Sequence, residues 1–274
     1  MTGKTREPVI AIVAEPHFRA PEQPAALVAA LRAAGYPPVI LNPDSCGDAS
    51  LAKIDLIVAR GRSPTLLSLL ARAEGKGVRT INRCAAIVAA RDKVEMSRAL
   101  ALAGLPTPVT HRGTLASMAD AFAANEYPLV IKPVFDDELH GVRVVRDRDE
   151  LLSLAWPHPL AVGQSLVAGE GVELKLYVAG TEVFAAAGPS PLAGGPAQAP
   201  QPVPVSAPLK ELAFRCGALF GLEIYGVTCM MNGETPIVMG VNAFPNTHAL
   251  PGASEMVARF VIERAHAHVA VRRG

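Results

Sequence analysis

Two lysines in this chain stand where a negatively charged ligand could be held. Lys93 follows Arg91-Asp92 inside a run that reads as helix, and Lys132 ends the short apolar strand LVIKP. A lysine at a strand end facing a cleft is a point charge suited to a phosphate oxygen. Taken singly, each also reads as a solvated surface charge. Glu173 and Lys175 share one face of a later strand and read there as a solvated ion pair. Arg60 and Arg62 lie just past an apolar strand, at the edge where α/β sheets take up ligands. A substrate carboxylate there and a plain surface-loop role are both open. His17 and His248 are given no role. Near the end of the chain, the run TPIVMGVNAFP carries Asn242, Phe244 and Pro245, with Gly240 two positions before the asparagine.

Composition narrows the setting. The 274 residues are 50% hydrophobic and 19% charged, which fits a globular chain with a large core. A net charge of +1 gives no bulk attraction to nucleic acid or membrane. The first apolar run, Val9 to Ala14, stops at Glu15, too short for a signal peptide or a membrane span. Cys46, Cys84, Cys216 and Cys229 form no CxxC pair and read as isolated thiols of a cytoplasmic protein.

The elements that must position these residues begin as alternating strands and helices. Val9–Ala14, Pro38–Leu41, Ile54–Ala59 and Val78–Asn82 read as strands, with helices at Gln23–Ala34 and Thr65–Glu74. That order predicts a parallel sheet covered on both faces. No GxGxxG follows the first strand, which argues against a dinucleotide-binding domain. One helix is expected over Ala85–Ala103, a hairpin from Leu129–Lys132 and Val142–Val145, and a helix over Asp149–Ala155. Strands follow at Ala161–Leu166, Glu173–Val178 and Glu182–Ala186. Gly188 to Pro208 holds no ionisable side chain and reads as a long loop, mobile or a lid. A helix at Leu209–Phe220, strands at Ile224–Met231 and Pro236–Asn242, and a last helix at Ala253–Ala270 complete the chain.

Five passages, in order, resemble the ATP-grasp superfamily. GVRTINRCAAIVAARDKVEMSRALALAGLPTP resembles the passage into its ATP-binding domain, and YPLVIKP its second lysine strand. AVGQSLVAGEGVELKLYVAGTEV is similar to the hinge strand and its successor, and GLEIYGVTCM and VMGVNAFPN to the two metal-holding strands. The order is similar to that of carboxylate–amine ligases, such as the ribosomal-protein glutamate ligases and the lysine-biosynthesis ligases. The resemblance implies an α/β ATP-grasp fold: an N-terminal parallel α/β domain over 1–90, a central subdomain over 91–163 and a C-terminal subdomain over 164–274, the last two clasping ATP. It implies phosphate contacts from Lys93 and Lys132, and a hinge at Gln164, Ser165, Leu166 and Val167 that reads the adenine edge, with Leu166 and Ile131 as apolar walls. Glu173 would accept from the ribose hydroxyls, Gly141 belongs to the phosphate-covering loop, and Lys175 stands for an arginine near the reacting phosphate. Asn242 would act in catalysis and on the metal.

Three departures from that pattern stand out. The phosphate-covering loop has one glycine and three consecutive acids, Asp136-Asp137-Glu138. Thr228 and Gly240 occupy the positions of the magnesium carboxylates, so Asn242 is the metal residue that remains. The 188–208 segment lacks the clamping arginine and asparagine. The resemblance therefore leaves open an ATP-dependent ligase, working through an acyl phosphate on small-molecule or peptide carboxylate and amine substrates, with magnesium in question. It equally leaves open a degenerate relative that binds nucleotide or a protein partner without catalysis. Phosphotransfer to a hydroxyl, suggested by the AFP tail alone, is a third reading. Neither nucleic acid nor membrane is expected as a partner, and a homodimer is open.

Overall fold

The computed structural model describes residues 6–15, 24–134, 141–167, 171–190, 192, 198–246 and 250–272. The chain builds three sheets in sequence. The first is parallel, in the order β2-β1-β3-β4, from β1 (Ile10–Ala14), β2 (Val39–Leu41), β3 (Leu56–Arg60) and β4 (Arg79–Ile81). Its connections carry α1 (Ala25–Ala33), the short α2 (Asp48–Leu51) and α3 (Pro64–Gly75). Ser63 starts α3 by accepting from the Leu66 N–H, and Pro64 occupies the first turn, where its missing N–H costs nothing. Ile10, Ile12, Leu56 and Val58 point to α1, while Ala11, Val13, Ile57 and Ala59 point to α3. Both faces are thus covered, as the strand–helix alternation predicts.

The stretch expected as a single helix over Ala85–Ala103 is two, α4 (Cys84–Ala89) and α5 (Lys93–Leu102). Asp92 breaks it. Its backbone is extended, and its carboxylate accepts from the Val94 and Glu95 N–H groups, so it caps α5 instead of continuing α4. Lys93 is therefore the first residue of a helix, not an interior one.

The second sheet is antiparallel, in the order β5-β8-β6-β7, with β5 (Thr110–Gly113), β6 (Leu129–Pro133), β7 (Arg143–Val145) and β8 (Ala161–Ser165). α6 (Leu115–Ala121) and α7 (Arg148–Ser153) cover one face around Met118, Phe122, Ile131 and Leu151. The expected β6–β7 hairpin is present, and its loop acids at 136–138 lie outside the described residues. β5 was not foreseen from its polar THRG sequence.

The third sheet is antiparallel, in the order β11-β10-β9-β12-β13. It comprises β9 (Val172–Ala179), β10 (Glu182–Pro189), β11 (Gln201–Val203), β12 (Ile224–Asn232) and β13 (Thr235–Asn242). β11 corrects the reading of 188–208 as loop throughout: Gln201–Val203 pairs with β10 at the sheet edge, where Pro202 can sit because no further strand needs its N–H. α8 (Ala207–Phe220), with α4 and α5, covers one face around Leu176, Cys216, Val227 and Val238. β13 is irregular at one point: Thr228 faces Gly240 and Cys229 faces Val238, so Met239 is left without a partner. The last helix, α9 (Ala253–Val271), returns to the first sheet and packs Met256, Phe260 and Val261 against α1 and β3.

Asn82, just past β4, ties the first and third sheets together. Its side chain donates to the Ile224 and Ala243 carbonyls, both at 2.6 Å, and accepts from the Glu223 and Ile224 N–H groups at 2.8 and 3.0 Å. All four cysteines are free thiols, and among the described residues no helix is long and apolar enough to cross a membrane.

Candidate active site

α5 lies between the second and third sheets and packs against both β5 and β13. Its first turn brings Lys93 close enough to the β6 lysine for the two charges to interact. Burial, and after it the Lys93 ammonium, push the Lys132 ammonium down from 10.5 to about 8. Lys132 Nζ donates to Gln164 Oε1 at 2.9 Å, and the same amide donates through Nε2 to Thr110 Oγ1 at 3.1 Å. Gln164 is 3% exposed, so this chain of contacts fixes Lys132 from beneath. Two ammonium groups held near each other, one of them largely buried, repel unless an anion lies between them. A phosphate group relieves that repulsion.

Strand parity decides which neighbours share this face. Lys132 and Val130 point one way. Ile131 points the other, fully buried among the α6 and α7 side chains, so it does not wall the cleft as expected. Val130, opposite Gln164 in register, shares the Lys132 face. Ser165 follows the same rule, two residues beyond Gly163, whose Cβ would meet Met118 and Phe122 on the covered face. At the hinge, the Ser165 N–H donates to the Val109 carbonyl at 3.0 Å and the Leu166 N–H to the Pro128 carbonyl at 2.8 Å. Both N–H groups bond within the protein, so neither is available to an adenine edge. Leu166 and Val167 are partly exposed. Gly141, at φ +80°, sits beside Pro133 at the base of the β6–β7 loop, a conformation that favours glycine.

The face of the third sheet away from α8 carries the remaining candidates. Lys175, Thr228 and Gly240 are successive register partners across β9, β12 and β13. Lys175 Nζ lies 3.1 Å from Glu173 Oε1, with Lys175 about half as exposed as a free side chain and Glu173 mostly buried. Asn242 is exposed, and its Oδ1 accepts from the Phe244 N–H at 3.0 Å, closing a turn with its own backbone. Magnesium takes oxygen ligands in near-octahedral array, usually with one or two carboxylates. Here the strand pair offers a hydroxyl, a bare glycine and an engaged amide, while Glu173 is held by Lys175. Among the described residues no group of three or more His, Cys, Asp or Glu could hold a metal. The donor set does not fit magnesium.

Arg60 is the last residue of β3 and lies near the residues that follow β13; Arg62 is two residues further on. Arg60, with Phe244 and Pro245, lines a small apolar cavity of about 30 Å³, and burial lowers its pKa. Arg62 is shifted down by burial and then by Arg91, against the opposing pull of Glu15. Glu15, 5% exposed at the end of β1, accepts from the Arg62 and Ser63 N–H groups and holds this loop in place. Arg91 was absent from the candidates read in the sequence, because the break at Asp92 that places it beside Arg62 lies inside a run that reads as one helix. His17 and His248 lie outside the described residues.

With these positions established, the likeness to known proteins is specific. Residues 90–259 match the RimK-like ATP-grasp domain family, and the chain belongs to it. A probable alpha-L-glutamate ligase from Hahella chejuensis is 28% identical over 233 residues, covering 77% of this chain and 74% of the relative. The crystal structure of a RimK-domain ATP-grasp protein from Sphaerobacter thermophilus superposes with a TM-score of 0.70 at 22% identity, over 91% of this chain and 98% of that one. The ATP-grasp ligase PsnB, in complex with a minimal precursor, Mg and ADP, gives a TM-score of 0.72 at 17% identity, over 93% and 97%. The fold is the ATP-grasp fold that the ordered motifs imply.

Proposed function

We infer that this protein is an ATP-dependent carboxylate–amine ligase. The observation that carries the reading is the Lys93–Lys132 pair, two half-buried ammonium groups that interact at the junction of the two antiparallel sheets, with Lys132 held by Gln164. Lys93 and Lys132 hold the phosphates, Val130 and Leu166 wall the adenine, and Glu173 accepts from the ribose. A substrate carboxylate oxygen attacks the γ-phosphorus, the bond to ADP breaks, and an acyl phosphate forms. An amine then attacks the carbonyl carbon, inorganic phosphate leaves, and the amine nitrogen gives up a proton. Arg60, Arg62 and Arg91 favour a substrate with more than one negative charge, a small molecule or the acidic end of a peptide. The free thiols suit a cytoplasmic setting.

A second reading has its own support. Thr228 and Gly240 stand opposite each other with no carboxylate at either position, which favours a nucleotide-binding protein that performs no ligation. Incubation with ATP, a panel of carboxylates and a panel of amines separates the two. The ligase reading expects ADP release that needs both partners, and a product mass equal to their sum less water. ATP binding with no such release across the panels supports the second reading instead.

A further inference from the structure

We propose that this chain binds the nucleotide phosphates without a magnesium ion held by protein carboxylates, and that Lys175 supplies positive charge in its place. The proposal rests on the nucleotide-binding part of the reading above. Its first support is the row Lys175, Thr228, Gly240, which sets an ammonium, a hydroxyl and a bare backbone side by side on the open face of the third sheet.

The second support is that backbone geometry does not call for the glycine. Gly240 is not among the glycines with positive φ, and a Cβ there would meet only Met96 Cε, at 3.6 Å, an ordinary contact. Gly226 is the contrast on the neighbouring strand: a Cβ there would come within 2.8 Å of Pro245 Cβ, so close approach of the chain demands glycine. A Cβ fits at position 240, and the sequence leaves it out.

The third support is the state of Glu173 and Lys175. Glu173 faces Met230 across the sheet, and its carboxylate lies 3.1 Å from the Lys175 ammonium, which keeps that ammonium beside the row. Lys175 is 41% exposed, and its flexible four-carbon stem can swing from Glu173 to a phosphate oxygen. An ammonium needs no octahedral ligand shell, so the loss of carboxylates at 228 and 240 leaves its binding to phosphate intact.

Isothermal titration of ATP into the full chain, once in EDTA and once in excess magnesium, tests the proposal. The expected result is equal affinity in the two buffers to within about threefold, and a loss on the order of tenfold in EDTA for Lys175→Met. Binding about tenfold or more tighter in magnesium, or an unchanged EDTA affinity for Lys175→Met, overturns it. Thr228→Asp combined with Gly240→Glu is expected to fold and to make ATP binding depend on magnesium. A folded double variant with the magnesium response of the parent overturns the assignment of this row to the phosphates. No ATP binding in either buffer removes the nucleotide-binding reading itself, and the proposal with it.

Discussion

The side chain of Asn82 pairs with the backbone of Ile224 in both directions, donating to its carbonyl at 2.6 Å and accepting from its N–H at 3.0 Å. An amide side chain thereby takes the part of a neighbouring strand where β12 runs past the end of β13. Asn82 is fully buried, and its replacement by alanine strands donors and acceptors from Glu223, Ile224 and Ala243. Asn82→Ala is expected to cost about 3 kcal/mol of stability, read from denaturant midpoints. Because the same residue joins the first and third sheets, the transition should also broaden.

Lys132 gives a pH dependence whose sign can be worked out. Its folded pKa, about 8, lies below the unfolded value of 10.5, so the folded chain releases the proton first. Its charge penalises the folded state below pH 8, and that penalty is relieved as pH rises from about 8 to 10.5. Phosphate binding favours the charged form. ATP affinity should therefore fall as pH rises through about 8, and binding near that pH should take up a fraction of a proton. Titration in buffers of different ionisation enthalpy measures the uptake.

Val130 and Ile131 should separate cleanly. Ile131→Ala opens a cavity in the α6–α7 core and is expected to cost about 2–5 kcal/mol while leaving ATP affinity almost unchanged. Val130→Ala, on the Lys132 face, should weaken ATP binding severalfold with a smaller loss of stability. Thermal melts with and without ATP distinguish the two. Equal ligand-induced shifts in both variants would contradict the face assignment.

Gly226 and Gly240 make a matched pair of tests. Gly226→Ala forces its Cβ against Pro245 and should destabilise by roughly 1–3 kcal/mol. Gly240→Ala should change stability by less than about 0.5 kcal/mol, since its Cβ meets only the flexible end of Met96.

Much of this arrangement was legible in the chain itself. The alternation of apolar strands with capped helices specified the first sheet, and the ordered motifs around Lys93, Lys132, Glu173 and Asn242 specified the other two. What stayed hidden has physical causes. LVIKP is apolar on both sides of its backbone, so hydrophobicity could not tell Val130 from Ile131; counting by twos from Lys132 would have done so. THRG and QPV each carry one β-branched residue, too few for a local strand signal, and become strands because β8 and β10 offer free edges to pair with. The break at Asp92 lay within an alanine-rich run whose helical signal continued across it. The return of α9 to the first sheet is a tertiary event that no local pattern encodes.

Met239, the residue without a partner on β13, works as a change of phase in that strand. Val238 before it and Val241 after it both reach the α8 core, although they stand three positions apart, an odd step that an unbroken strand would send to opposite sides. The extra residue thus acts as a clutch, disengaging the last part of the strand and re-engaging it half a cycle later. Pairing the same sequence as an unbroken ladder would turn Val241 out to water and drive Asn242 into the apolar interior, whereas deleting Met239 would leave a regular ladder with Val238 and Val241 still facing the core. The placement of residues 240 and 242 beside Lys175 and Thr228 is therefore a matter of counting, and one added residue sets the count.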